Sequence, residues 1–461
     1  MVAIGVHSPL VTFAVGLILV VLLIAVLDLP AFVGLAIAAF GVGIVNAVFV
    51  DGISLADAAT DTAAAFGGDM EGIGIPILMA AIIGKSMLES GAAQRVVRSF
   101  LSVLGDDNAD VALWASSSIL AIPVFFDSVF YLLAPLARSM RARIGKNYTL
   151  YIVVVGAGAA TAHVFVPPTP GPLAVASEVG ASIGMTMAIG VAVALPTAMV
   201  SGLVYGRWLN DRLDIPLRET MGTSTDELER RANRELESLP GLLEAVLPIV
   251  LAVVLVAAAT IVEGLLSPPA TIADIVAFLG DKNVALTIAA VVAAFTYLRW
   301  ADLDRSTWED ELTEALKSGG NIAAITAMGG AFGAMLAASG IGGYIAAGLS
   351  DLGIGLLVTA WLIAAVVRIA QGSATAAMLT AAGIMAPLVG QLSVHPAYLV
   401  MVIGAGGNIF SWYNDSGFWL VKEIGGLTGA ETLKTWTVLT TIIAVSGLLS
   451  VLALSTVVPF A

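Results

Sequence analysis

Runs of about twenty residues that are almost free of charge recur along this chain, and that is the length at which a helix crosses a bilayer. They extend from Pro9 to Leu27, Ala31 to Val50, Leu242 to Val262, Asn283 to Leu298 and from Leu433 onward. Backbone inside hydrocarbon must satisfy its own hydrogen bonds, which restricts such runs to helices. With 461 residues, 59% hydrophobic and only 12% charged, and a mean hydropathy of +0.98, the chain reads as an all-α polytopic membrane protein. The first run has no basic flank before it and no small-residue cleavage pattern after it, so it is expected to remain as a permanent helix.

Cysteine is absent, which excludes thiolate metal sites, thiol nucleophiles and disulfides. No metal-ligand cluster is visible, and no cofactor is expected. The net charge of −14 arises from acids crowded into loops, as between Asp51 and Glu71 and around Asp226 to Glu229. Such faces are solvated and point to a salt-adapted host; a basic nucleic-acid footprint is absent.

Basic residues set the sidedness. With the N-terminus outside, 18 of the 20 Lys and Arg residues fall on the cytoplasmic side, leaving Lys282 outside and Arg368 in the membrane. The expected location is the plasma membrane, with many passes. Five spans precede the charged segment and five follow it, which divides the chain into a first membrane repeat (1–206), a cytoplasmic linker (207–241, with a helix from Asp226 to Leu236) and a second repeat (242–461). An odd number of spans per half inverts the second half relative to the first. Ser306 to Lys317, with Trp308 and Leu312 among acids, resembles an interfacial amphipathic helix.

Each half also holds two pieces that no simple span explains. Val111 to Ala137 is too long for one crossing and too short for two, and carries Pro123 and Asp127, so a re-entrant hairpin from the cytoplasmic side is expected. Ile354 to Leu392, with Arg368 and the tip-like Gln371 to Thr375, is its expected counterpart from outside. Broken helices follow, at His163 to Pro172 and at Ser411 to Trp419. From the breaks the halves run in step at an offset of 245 positions: Phe165 with Phe410, Glu178 with Glu423, Gly180 with Gly425, Gly184 with Gly429. Hairpin-to-break spacing also matches, since Asp127 precedes Pro167 by 40 positions and Ser373 precedes Asn414 by 41. Two inverted repeats, each with about five spans, one re-entrant hairpin and one discontinuous helix, are the pattern of a secondary transporter.

The residues able to carry chemistry cluster in these pieces. Arg368, flanked by Ala364 to Val367 and Ile369-Ala370, costs at least about 2.5–3.5 kcal/mol at a helix centre unless it is paired or hydrated. Its bland reading is a snorkelling or structurally paired arginine; its functional reading is a fork for a substrate carboxylate. Asp127, Asp415 and His163 are the proton-coupling candidates. Against that role, either aspartate could simply cap a half-helix, and a lone membrane histidine could be structural. Prolines between Pro167 and Pro172 rule out continuous helix there, exposing helix ends to an anion or a cation. Ser128, Thr169, Ser373, Thr375, Asn414 and Ser416 are the uncharged hydrogen-bonding groups nearby and suit a polyhydroxylated ligand, although Ser and Thr also glue membrane helices together.

These motifs, together with Gly84 to Arg95, Phe125 to Phe130 leading to Pro135-Leu136, Arg368 to Thr375 and Asn414 to Glu423, resemble the gluconate permease family of proton symporters within the ion-transporter superfamily. The resemblance implies uptake of gluconate-like sugar acids, or related hydroxy- and amino-acid anions, with protons, by a chain with two hairpins that forms a homodimer. Three departures stand out. Thr169 replaces the histidine usual in the family's proline motif, Ser416 replaces a proline, and Asp127 replaces the hairpin glutamate, whereas His163 matches the family's other histidine. The lost histidine bears on the proton route or on gluconate itself, and sodium is the alternative coupling ion in a saline habitat. A cation:proton antiporter of similar architecture, with Asp127 and Asp415 holding the cation, is the competing function. An intramembrane enzyme lacks a nucleophile and base at defensible spacing.

Overall fold

The computed structural model describes residues 8–27, 29–50, 52–218, 238–265, 269–301, 303–341, 344, 355–412 and 415–460. The expected linker helix from Asp226 to Leu236 and the site candidate Asn414 lie outside them, as does the side chain of Ser128. Among the described residues every regular element is helical, and nine helices are long and apolar enough to cross a membrane.

The first half runs α1 (Ser8–Val20, continued by a wider turn to Val26), α2 (Ala31–Phe49), α3 (Leu55–Glu89), α4 (Ala92–Leu104), α5 (Ala109–Leu120), α6 (Phe126–Ile144), α7 (Tyr148–Phe165), α8 (Pro170–Glu178) and α9 (Ile183–Asn210). The second half runs α10 (Leu242–Leu265), α11 (Ala270–Gly280), α12 (Lys282–Trp300), α13 (Arg305–Ala338), α14 (Leu356–Gln371), α15 (Ala374–Met385), α16 (Pro396–Gly407), α17 (Ser416–Gly425) and α18 (Gly429–Val457). Both expected hairpins are helix–turn–helix units, α5–α6 and α14–α15, and both expected breaks separate two helices, α7 from α8 and α16 from α17.

Two details differ from the sequence reading. Ser306 to Lys317 is not a separate interfacial helix but the opening turns of the 34-residue α13, because Asp304 caps the start by accepting from Thr307 N–H (3.0 Å) and no breaker intervenes before Ala338. The short apolar helix α11, packed on α10, adds to the expected elements; 11 residues are too few to register as a span.

The broken helices form the core. In α7 all but His163 are buried, and every residue of α16 from Ala397 to Gly407 is. Each first half-helix packs against the first arm of its own hairpin, α7 on α5 and α16 on α14. These contacts repeat in detail. Trp114 donates its indole N–H to the Ala198 carbonyl at 3.0 Å, and Trp361 donates to the Ala444 carbonyl at 3.0 Å. Glycine permits the crossing in both places: a Cβ on Gly158 would lie 2.7 Å from the Trp114 carbonyl oxygen, and one on Gly406 2.3 Å from that of Trp361.

Second arms cross over between halves, α6 packing on α17 and α15 on α8. The long helices α3 and α13 lie antiparallel along their length. Asp69 meets Gly330, Ala81 meets Gly319, and Lys85 pairs with Glu311. Just beyond the first half, Arg218 binds Glu431 through two hydrogen bonds (2.7 and 2.9 Å) and the Gly426 carbonyl (3.0 Å), while Arg141 pairs with Asp214 at 3.0 Å. The hydrogen bonds to Glu431 raise the Arg218 guanidinium above its ordinary range.

Candidate functional site

The two breaks are built by different chemistry and meet in the middle of the molecule. In the first, Pro170 stands at the start of α8, where its missing N–H costs nothing. Thr169 is buried and donates its hydroxyl back to the Val166 carbonyl at 2.7 Å, so this break satisfies itself. Phe410 in the second break holds a left-handed backbone (φ 49°), a conformation that is strained for a bulky residue and concentrates at functional sites. Val164 of α7 crosses Gly404 of α16 so closely that a Cβ there would lie 2.2 Å from the Val164 carbonyl oxygen. Met378 of the second hairpin is wedged where the breaks adjoin, touching the positions of Gly171, Gly404 and Gly407.

Arg368, in the last turn of α14, is 3% exposed. Its Nη2 donates to Asp415 Oδ2 at 2.5 Å. Nε and Nη1 have no partner among the described residues. A buried, charged donor left unpaired costs more than the roughly 1–3 kcal/mol of a neutral one, so these two nitrogens call for an acceptor beyond the described residues. Asp415 fills both roles weighed for it: Oδ1 caps α17 by accepting from Gly417 N–H (3.0 Å), and Oδ2 holds Arg368 and the Ser411 hydroxyl. Ser411 in turn accepts from the Trp436 indole N–H (2.5 Å), and its backbone is fixed by Thr440 (3.1 Å) and Thr437 (2.5 Å). The Trp436 ring stacks on Phe126 at 4.8 Å between centroids. That contact brings Asp127, in the first turn of α6, within electrostatic range of Asp415.

The remaining candidates divide. Ser373 caps α15 by accepting from Ala376 N–H at 3.3 Å, with Thr375 half-buried beside it, and Ser416 is exposed at the first turn of α17. His163 closes α7 with its Nδ1 unpartnered among the described residues, and no contact ties it to Arg368. Sequence reasoning missed four groups. Ser411 and Trp436 are residue types too ordinary in membrane helices to stand out. Asn408 is buried at the end of α16, its amide nitrogen unpartnered among the described residues. The Asp69 and Glu178 carboxyls hydrogen-bond to each other across α3 and α8, with Asp69 seated where Gly330 leaves room. Among the described residues no group of acids and histidines could hold a metal ion.

Residues 8–457 of the chain match the model of the GntP family permeases. The chain is 34% identical over 454 residues to the "High-affinity gluconate transporter" of Escherichia coli (strain K12), covering 98% of this chain and 100% of that one. It is 32% identical over 455 residues to the "Gluconate permease" of Bacillus subtilis (strain 168), with the same coverage. It is also 32% identical over 449 residues to the "Gnt-II system L-idonate transporter" of Escherichia coli (strain K12), covering 97% of this chain and 99% of that one. Among solved structures, the Alcanivorax borkumensis YdaH transporter shares the fold at a TM-score of 0.62 and 15% identity, over 94% of this chain and 99% of that one. A multi-pass helical membrane protein that conforms to this family model from end to end is a permease and not an enzyme: the chain belongs to the GntP family.

Proposed function

We propose that this protein is a secondary active transporter that takes up a small organic acid anion, a gluconate-like sugar acid or a related hydroxy or amino acid, by proton symport. One observation carries the reading: Arg368 is buried, and two of its three nitrogens are unpartnered among the described residues. A carboxylate is the group that fits a guanidinium fork. Gluconate and L-idonate, named for the relatives, each join one carboxylate to several hydroxyls. Ser128, Ser373, Thr375, Asn414 and Ser416 are the proposed hydroxyl partners. Asp127, Asp415 and His163 are the proposed proton carriers.

An inverted pairing of the halves, 1–206 against 242–461, is supported by the antiparallel run of α3 and α13 and by the matched indole–carbonyl bonds of Trp114 and Trp361. The proposed orientation in the plasma membrane has the N-terminus outside and 207–241 in the cytoplasm, and family resemblance suggests a homodimer. The antiporter reading asks Asp415 to bind a cation, but Asp415 already holds Arg368.

Uptake of labelled gluconate, glycerate, lactate and serine into proteoliposomes, with pH and sodium gradients imposed separately, tests the function. Accumulation of a hydroxy acid driven by the pH gradient alone is expected. Accumulation of none of these anions under either gradient, with cation efflux driven by pH instead, would establish the antiporter.

A further inference from the structure

We propose that substrate and proton are coupled at the Arg368–Asp415 pair itself: the substrate carboxylate takes over the guanidinium, and Asp415, losing its counter-charge, takes up the proton. This rests on the reading of Arg368 as the carboxylate site.

The geometry puts two carboxylates on one cation. A guanidinium offers two-point grips across adjacent nitrogens on the same edge, Nη1 with Nη2 or Nε with Nη2. Nη2 carries one N–H toward each edge, and one of them holds Asp415 at 2.5 Å. Nε and Nη1 have no partner among the described residues, so the other edge can take a second carboxylate. A substrate carboxylate therefore arrives beside that of Asp415 and shares the same single positive charge.

Charge balance then draws in a proton. The charged groups facing Asp415 from packed elements are Arg368 on α14 and Asp127 on α6. Among the described residues facing it, Arg368 opposes the sign of Asp415, while Asp127, which is exposed, shares it. With the substrate bound, one buried cation would face two carboxylates, and uncompensated charge in a buried site is strongly unfavourable. A proton from solution bound to Asp415 restores neutrality without breaking any covalent bond. The local hydrogen bonds accommodate it. Ser411 now donates to Oδ2, yet a hydroxyl rotates freely and can accept from a protonated carboxyl, while Trp436 N–H keeps its bond to the serine oxygen. Gly417 N–H still has Oδ1.

Binding of anion and proton then becomes reciprocal: each raises affinity for the other by the same factor. The empty carrier holds a neutral Arg368–Asp415 pair, and the loaded carrier holds a neutral Arg368–substrate pair beside a protonated Asp415. With Asp127 left out of the balance because it is exposed, only these two states avoid a buried net charge, so only they reorient cheaply across the membrane. Symport results from that restriction without a separate relay.

The test uses purified full-length protein, gluconate as the probe and the Asp415→Asn variant, whose amide keeps an oxygen for Gly417. Wild-type protein in weakly buffered detergent should take up close to one proton for each gluconate bound, and its affinity should weaken as pH rises, by at most about tenfold per pH unit. Asp415→Asn should bind gluconate with no pH dependence, keep gluconate–gluconate exchange in proteoliposomes, and lose accumulation driven by a pH gradient. Arg368→Gln distinguishes the failures. If it binds gluconate as wild type does, the carboxylate reading itself is wrong. If it loses affinity while Asp415→Asn still accumulates gluconate at the wild-type level, only the coupling proposal falls, and the proton resides elsewhere, with His163 or the Asp69–Glu178 pair next to be tried. Should Asp415→Asn not fold, absence of proton uptake on gluconate binding by wild-type protein is sufficient to overturn the proposal.

Discussion

The two broken helices interrupt the same kind of core element, yet one is closed upon itself and the other is held open by charge. Between α7 and α8 the chain turns through Val166 to Thr169 with every residue buried, and its one hydroxyl is spent on its own turn. Between α16 and α17 a strained Phe410 leads into Ser411 and Asp415, which are tied to Arg368 on another helix and to Trp436 on a third. The cluster Pro167, Pro168 and Pro170 stops the first helix, because each proline removes a donor and clashes with the preceding turn, whereas a single proline such as Pro76 is carried within α3. A charged network costs desolvation, and beside donors unpartnered among the described residues it is the break proposed above to bind the ligand.

Removing charge from the second break should have the largest effect. Arg368→Gln leaves Asp415 buried without its cation, so a loss of about 3–5 kcal/mol in stability is expected, read as a lower midpoint in detergent unfolding. Arg368→Gln combined with Asp415→Asn should recover most of that stability while transport stays lost. Failure of the double variant to recover would mean that the pair is not what holds this break.

A smaller effect is expected at Trp436→Phe, which keeps a ring against Phe126 but deletes the N–H bonded to Ser411. Loss of one hydrogen bond amounts to about 1 kcal/mol, so KM should rise roughly fivefold with kcat little changed. No change in KM would detach Ser411 and Trp436 from the site.

The smallest is at the first break. Thr169→Ala deletes a neutral bond within a turn and should cost about 1 kcal/mol of stability, leaving substrate affinity within about twofold, a difference of under 1 kcal/mol. A tenfold loss of affinity would erase the contrast between the breaks and give Thr169 a direct part in binding.

Backbone features are legible in the sequence for a physical reason: prolines, charges and lengths that hydrocarbon does not tolerate announce themselves. Both breaks, both hairpins and Arg368 fall in this class. Partners are not legible, since pairing is a property of the fold. Asp415 lies 47 positions from Arg368, and Phe126 reaches Trp436 from the other half of the chain. Ser411 and Trp436 carry no charge and break no helix, so nothing in the apolar runs distinguishes them from packing residues. Asp69 illustrates the same limit: its acid partner, Glu178, is on another element and its seat is a glycine on a third. The amphipathic stretch from Ser306 to Lys317 looks separate in the sequence because its composition differs from that of the apolar residues after it, yet helical hydrogen bonding continues through a change of composition when no breaker intervenes.

The most direct test of the central claim, that the spare donors of Arg368 receive the substrate carboxylate, is the gluconate affinity of Arg368→Lys measured on folded protein by titration calorimetry. Lysine keeps the charge opposite Asp415 but lacks the planar fork. The account predicts binding weaker by roughly 10- to 100-fold, about 1.4–2.8 kcal/mol, with thermal stability close to that of wild type. Wild-type affinity in the lysine variant would contradict it and leave Arg368 as a structural partner of Asp415.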